Sequence, residues 1–235
     1  MSEALYDIGG LRFWNEREIM VREQAIQSLV HTVQGALLGL NSAWTFHRVE
    51  GPLLTPRKFI SPAYDDSDIF LTQANLGDQE GSLRAETTAS SYLYAEKLLK
   101  TGVRPPACIW QAGKSFRRET NDGARASELR FNEFYQLEFQ CIYASNTKAD
   151  YRSVIEPAVG RAISQITRSD GYRIIPSDRL PDYSLATNDV EVMYGGKMKE
   201  MCSISTRKDF PIDNMLVLEV AVGLDRLVVV ESEAE

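Results

Sequence analysis

KSFRRETNDGARASELRFNEFYQLEFQCIY, residues 114–143, is the stretch that decides the fold. With the side-chain period of two that a strand imposes, Phe131, Tyr135, Leu137, Phe139, Cys141 and Tyr143 share one face of a long return strand. Arg130, Asn132, Phe134, Gln136, Glu138 and Gln140 share the other. The first set reads as a core face, the second as a polar row interrupted by a single ring. On the incoming strand Arg117 and Glu119 share a parity, and Asn121-Asp122-Gly123 with the small residues after it supplies the loop. A hairpin built this way offers a guanidinium for phosphate, a ring for stacking and carboxylates for an ammonium group.

Amphipathic hairpins are ordinarily solvated surface, so the neighbouring segments carry the decision. Phe116-Arg117-Arg118-Glu119 followed by Arg130, Glu133, Phe134 and Glu138 resembles motif 2 of the class II aminoacyl-tRNA synthetases, and Gly113, Ser115 and Leu129 fit the glycyl version of it. Upstream, Leu83-Arg84-Ala85-Glu86-Thr87 is similar to the L-R-P-E-T element, with alanine in place of proline, and a helix is expected from Thr88 to Thr101 with Gly102 as its stop. Val49–Pro56 resembles motif 1, preceded by a helix over Glu16–Leu38 with Ile19, Ile26, Val30, Val33 and Leu37 at helical spacing. Downstream, Leu218–Leu227 resembles motif 3, a strand turning at Gly223 into a helix that presents Arg226. Between them, Arg179–Ser184 and Lys199–Phe210 are similar to the glycyl subgroup's K-E-L-E-G-I-x-x-R-x-D-Y strand, with Gly195-Gly196 as the hairpin turn before it.

At 235 residues, 43% hydrophobic and 25% charged, the chain suits a single domain spanning 1–235. Runs of strands flanked by helices predict an α+β fold with an antiparallel sheet, which is also the class II synthetase-like fold that the resemblance implies. No signal-peptide pattern and no membrane-length apolar run are present, so a soluble cytoplasmic protein is expected. Cys108, Cys141 and Cys202 are odd in number and lack metal-type spacing, and they read as buried reduced thiols. His31 and His47 are the only histidines and read as packing or surface residues. A further helix is expected over Ser153–Ser169 with Val154, Ala158, Ala162 and Ile166 inward, and Glu231–Glu235 reads as a frayed acidic tail. The net charge of −7 gives no global basic field for a polyanion.

The resemblance implies amino-acid adenylation with ATP and Mg²⁺ in a homodimer. It assigns Arg117 to the α-phosphate and the amino-acid carboxylate, Phe134 to stacking on adenine and Arg226 to the γ-phosphate. Glu119 and Arg130 join them in the ATP site, and Glu200 is the carboxylate for Mg²⁺. Glu86, Glu138 and Glu219 correspond to the acidic pocket that holds the ammonium group in glycyl enzymes. Those enzymes carry a serine where this chain has Ala221, and a second glutamate where it has Cys202. A small amino acid is therefore implied, glycine first, with alanine or serine permitted. The resemblance ends after motif 3, which implies a catalytic domain without an anticodon-binding domain. The acceptor stays open between tRNA and another group such as a carrier protein, a nucleobase or an amine. The competing reading is a non-catalytic paralogue acting as a regulatory or binding subunit, against which the retained Arg117 and Arg226 argue.

Overall fold

The computed structural model describes residues 6–8, 11–61, 64–73, 75–119, 128–178 and 181–234. The expected Asn121-Asp122-Gly123 loop and Arg179-Leu180 lie outside them. A ribbon of β1 (Tyr6–Ile8) and β2 (Leu11–Phe13) leads into α1 (Glu16–Leu40). Asn15 starts that helix through a capping box: the Glu18 N–H donates to Asn15 Oδ1 at 2.9 Å and the Asn15 N–H to Glu18 Oε2 at 2.8 Å. The elements that follow are β3 (Thr45–Arg48), β4 (Leu54–Pro56), β5 (Gly81–Leu83), α2 (Thr88–Lys100), β6 (Ala107–Phe116) and β7 (Glu133–Ala144). Then come α3 (Tyr151–Ile166), β8 (Arg173–Pro176), β9 (Ser184–Tyr194), β10 (Lys197–Arg207), β11 (Met215–Gly223) and α4 (Leu224–Glu233).

Seven strands form the main sheet in the order β3-β6-β7-β11-β10-β9-β8. Only β3 runs parallel to its neighbour; every other pair is antiparallel. The fold is thus α+β, as the alternation of the strands predicts. Tight local chemistry sets the joints. Gly195 and Gly196 adopt φ of 55° and 75° between β9 and β10, the left-handed pair that a two-residue hairpin requires. Gly102, at φ 106°, ends the segment after α2.

The two faces of the sheet differ. On one, Leu137, Phe139 and Cys141 of β7 and Leu218, Val220 and Val222 of β11 pack with α1, α3 and α4 into the main core. On the other, α2 covers one end through Ala95, which packs with Ile109, Ile142, Val217 and Phe210. Beyond that end the second face carries polar side chains. Cys108, Cys141 and Cys202 are all buried and free, with the first two thiols 3.2 Å apart on facing strands.

Three expectations need correction. Ile19 is 36% exposed, and the inner stripe of α1 is Ala25, Leu29, Val30, Val33 and Leu37. In α3, which Asp150 caps and which starts at Tyr151, the buried stripe is Ile155, Val159, Ala162 and Ile163 rather than the set starting at Val154, because that is the face packed against α1 and the sheet. Glu231 is not part of a frayed tail: it is buried within α4 and pairs with Arg17 at 3.2 Å and Arg168 at 3.0 Å.

Arg84 ties the small β4–β5 sheet to the large one. It is buried, and its guanidinium donates to the carbonyls of Lys114 at 2.7 Å and Gly51 at 2.8 Å and to Gln111 Oε1 at 3.3 Å. Gly113 is required by this arrangement, since a Cβ there would lie 2.4 Å from Arg84 Nη2. Gly113→Ala should therefore cost about 1–3 kcal/mol in urea unfolding, because a buried guanidinium held through its Nε and Nη1 must move. A loss within about 0.5 kcal/mol would show that Arg84 yields freely.

Candidate active site

The polar face of the sheet is one continuous floor. Cross-strand pairing sets Gln111, Glu138, Ala221, Ser203 and Asp189 in a row over β6, β7, β11, β10 and β9. The adjacent row holds Gln140, Glu219, Ser205 and Thr187. Above this floor opens a cavity of ≈ 220 Å³. All ten residues singled out from the sequence line it: Glu86, Arg117, Glu119, Arg130, Phe134, Glu138, Glu200, Glu219, Ala221 and Arg226.

Glu138 and Glu219 are buried at 3% and 8% exposure, and Glu86 stands over them on the segment before α2. Buried carboxylates need donors, and the chain supplies them from four directions. Thr87 and Thr88 hydroxyls donate to Glu138 Oε2 at 2.5 and 3.1 Å, and Thr88 also reaches Glu219 Oε2 at 3.2 Å. Gln136 Nε2 donates to Glu138 and Gln140 Nε2 to Glu219, the latter at 2.9 Å. Tyr64 Oη donates to Glu86 at 3.0 Å. Arg207 Nη1 pairs with Glu219 at 2.7 Å, while the rest of its guanidinium holds Asp209 and lies 4.1 Å from the centre of the Tyr183 ring. Burial, then the Glu219 and Glu86 charges, push Glu138 up to about 8. Burial and then Glu219 also raise Glu86. An extra cation among these groups would relieve both effects.

Arg117 occupies the opposite wall. Its Nε donates to the Ala85 carbonyl at 3.1 Å, and its Cζ lies 5.2 Å from the ring centres of both Phe134 and Tyr64. Alanine at 85, where the related element has proline, still supplies that carbonyl. The rings and the carbonyl hold the guanidinium between Phe134 and the carboxylate cluster. Arg226 enters from the first turn of α4, directly after the Gly223 joint, and donates to the Leu129 carbonyl at 3.2 Å and the Glu200 carbonyl at 2.9 Å. Its Nη1 also lies 3.4 Å from Glu200 Oε1. Asp225 anchors this joint by accepting the Tyr135 N–H at 2.9 Å. Arg130 and Glu119 sit 3.8 Å apart at the rim.

Glu200 is the one carboxylate that the sequence assigns to a metal. Among the described residues no group of three or more His, Cys, Asp or Glu is arranged to hold an ion by itself. A single half-exposed carboxylate on the cavity fits the demands of Mg²⁺, which keeps waters and takes the rest of its shell from substrate phosphates.

Several site residues escape a reading of the sequence alone. Arg207, Ser203 and Ser205 share a parity on β10 with each other, and Thr187 and Asp189 on β9 pair with the two serines. The alternation was available as a signal, but the partners across strands were not. Among the described residues no helix is long and apolar enough to cross a membrane.

The raised carboxyl gives a pH test. Glu138 has its folded pKa near 8 against an ordinary 4.5, so its contribution to stability is complete below about pH 4.5 and is lost as pH rises through 8. The ligand-free protein should lose melting temperature between pH 5 and about 8 more steeply than Glu138→Gln, which carries no such proton. Parallel profiles for the two would show that Glu138 is already ionised at pH 5.

No protein-family model matches the chain. Over 137 residues it is 29% identical to a glycine–tRNA ligase of Mycolicibacterium vanbaalenii, and over 135 residues 29% identical to that of Mycoplasma capricolum subsp. capricolum. In both comparisons 55% of this chain is covered and it spans 29% of the relative's length. Among solved structures, prolyl-tRNA synthetase from Cryptosporidium parvum, complexed with halofuginone and AMPPNP, superposes with a TM-score of 0.73 at 12% identity. Giardia lamblia prolyl-tRNA synthetase in complex with prolyl-adenylate gives 0.67 at 16%. Each match covers 98% of this chain and 50% of the other. With the ordered motifs, the glycyl-type relatives and the seven-stranded sheet in agreement, the chain has the fold of a class II aminoacyl-tRNA synthetase catalytic domain and is similar in sequence to glycine–tRNA ligases.

Proposed function

We infer that the cavity activates a small amino acid with ATP: a carboxylate oxygen attacks the α-phosphorus, pyrophosphate leaves, and an aminoacyl-adenylate remains. Arg117 carries this reading. It stands between Phe134 and the Glu86–Glu138–Glu219 cluster, where one guanidinium faces both the α-phosphate and the attacking carboxylate. Such a reaction needs alignment of two anions and charge stabilisation rather than a covalent nucleophile. Phe134 would stack on adenine, with Glu119 and Arg130 at the mouth of the same subsite. Arg226 would exchange its contact with Glu200 for the γ-phosphate. Mg²⁺ held by Glu200 and the phosphates would supply neutralisation of the leaving group. The three glutamates would receive the ammonium group. Glycine is the first candidate for the substrate, in keeping with the glycine–tRNA ligase relatives, and the acceptor is tRNA or another nucleophile. The single-domain organisation over residues 1–235 and a cytoplasmic location belong to the same proposal.

Amino-acid-dependent ATP–pyrophosphate exchange in the presence of Mg²⁺ tests it. Arg117→Ala should lower exchange by about 10²-fold or more, because the guanidinium acts where charge develops. Exchange by the variant at the wild-type rate would remove its role, and the absence of exchange with any amino acid in the intact protein would favour a non-catalytic binding subunit.

A two-fold assembly is part of the same reading. The Glu50–Pro56 segment, the motif 1-like one, is clasped by Arg84 and Gln111 at Gly51. Just beyond, Leu53 and Leu54 are 43% and 42% exposed, with Phe59 and Leu71 exposed on the same small subdomain. A self-complementary interface on this surface should give about twice the 26.5 kDa chain mass in light scattering. An active protein that stays monomeric at micromolar concentration would overturn it.

A further inference from the structure

The cavity continues past the three carboxylates toward the outer strands. In the row Glu138, Ala221, Ser203, Asp189, each residue is paired directly with the next across β7, β11, β10 and β9, and all four line the cavity. Adjacent strands stand about 4.8 Å apart, so Ser203 lies about 5 Å and Asp189 about 10 Å from Ala221 along the floor. Asp189 is only 8% exposed, with the hydroxyls of Ser177 and Ser203 bonded to its carboxyl. The charged groups that act on it, Glu200 and Asp178, are both negative. A carboxylate so enclosed borders the cavity with hydroxyls as its partners and no cation of the chain paired to it among the described residues.

A substrate without a side chain would use none of this wall. An alkyl side chain would strip water from Ser203 and Asp189 and return no hydrogen bond, a net cost. A side chain ending in a donor replaces the water instead. With the substrate Cα over Ala221, a β-substituent comes beside Ser203, and a side chain of roughly three to four heavy atoms reaches Asp189.

We propose that Ser203 and Asp189 form a side-chain subsite, and that the amino acid activated here carries a short side chain ending in a hydrogen-bond donor, a hydroxyl or an amine. The proposal rests on the adenylation reading above and narrows its substrate class away from glycine. Discrimination on this basis is stronger than size selection, because a donor-free analogue leaves enclosed polar groups unpaired.

Pyrophosphate exchange and calorimetric titration with glycine, alanine, serine and 2,4-diaminobutyrate test it, using the wild type, Asp189→Asn and Ser203→Ala, each checked for cooperative melting. The wild type should favour serine or diaminobutyrate, whose amine ends a three-atom side chain, over alanine by about tenfold or more in exchange efficiency. Loss of a serine preference in Ser203→Ala identifies the hydroxyl as the group read; loss of a diaminobutyrate preference in Asp189→Asn identifies the amine. Equal efficiency with glycine, alanine and the donor-bearing substrates in the wild type overturns the subsite. So does weaker ATP binding in both variants with unchanged amino-acid ratios, which would assign the wall to the nucleotide. If no amino acid supports exchange, the adenylation reading fails, yet titration still decides the subsite: tighter binding of serine or diaminobutyrate than of alanine upholds it, and no difference overturns it.

Discussion

Three carboxylates held against one face of a buried sheet are the constraint around which this protein is arranged. Glu138 and Glu219 lie on neighbouring strands with almost no exposure, and Glu86 hangs over them. Like charges in a low-dielectric wall repel one another and lose hydration. The fold answers with donors rather than with a full set of counter-charges. Two threonines at the start of α2, two glutamines on β7 and one tyrosine bond the carboxylates, and Arg207 alone neutralises Glu219. Thr87 and Thr88 also place the positive end of α2 toward the cluster, which favours negative charge there. Arg117 also acts on Glu86 from across the cavity, and a further cation placed among the three carboxylates would relieve the repulsion that remains.

The remaining architecture keeps this floor in register. Arg84 and Gln111 hold the Gly51 turn against β6, and Gln111 Nε2 donates to the Thr87 carbonyl at 3.0 Å, so the segment carrying the hydroxyl donors is fixed from behind. On the far side of the sheet, Asp225 binds the Tyr135 N–H and lies 3.8 Å from Arg22 of α1, while Arg22 stacks on the Tyr135 ring at 3.8 Å. Phe134 and Arg226, the residues adjacent to Tyr135 and Asp225, are thereby held at a set separation. The Phe134–Arg226 side of the cavity is thus fixed by α1 and α4, and the carboxylate side by α2 and β6. A single packed sheet connects the two.

What could be read from the sequence was what is local. The β6–β7 strand parity, the Gly195-Gly196 turn, the Gly223 joint and the extent of α2 follow from residues within a few positions of one another, and the structure has each of them. Ile19 and the α3 stripe were misplaced because a helical spacing admits neighbouring stripes, and only packing against α4 and the sheet selects among them. Glu231 looked like solvent-bound tail because its partners, Arg17 and Arg168, come from α1 and the end of α3. A partner 214 residues away leaves no trace in the sequence around it. Arg207 was missed for the same reason: its value lies in Glu219, on the next strand but 12 residues on.

The two halves of the cavity differ in how they can change. One side draws on Phe134, Arg117 and Arg226, whose positions are set by backbone carbonyls and ring stacking, and any alteration there disturbs several anchors together. The outer wall is built from single side chains projecting from strands, at Ala221, Ser203 and Asp189, and none of them terminates a helix or closes a turn. Replacing one changes the shape or polarity of the floor while the ladder beneath it stays paired. A sheet organised this way can keep the Arg117, Phe134 and Arg226 side fixed on β6, β7 and α4 while the shape and polarity of the floor are rewritten on β9, β10 and β11. Of this chain's departures from the glycyl pattern, Ala221 lies on β11 within that second group, where such a fold tolerates it, whereas Cys202 is packed into the core on the other face of β10.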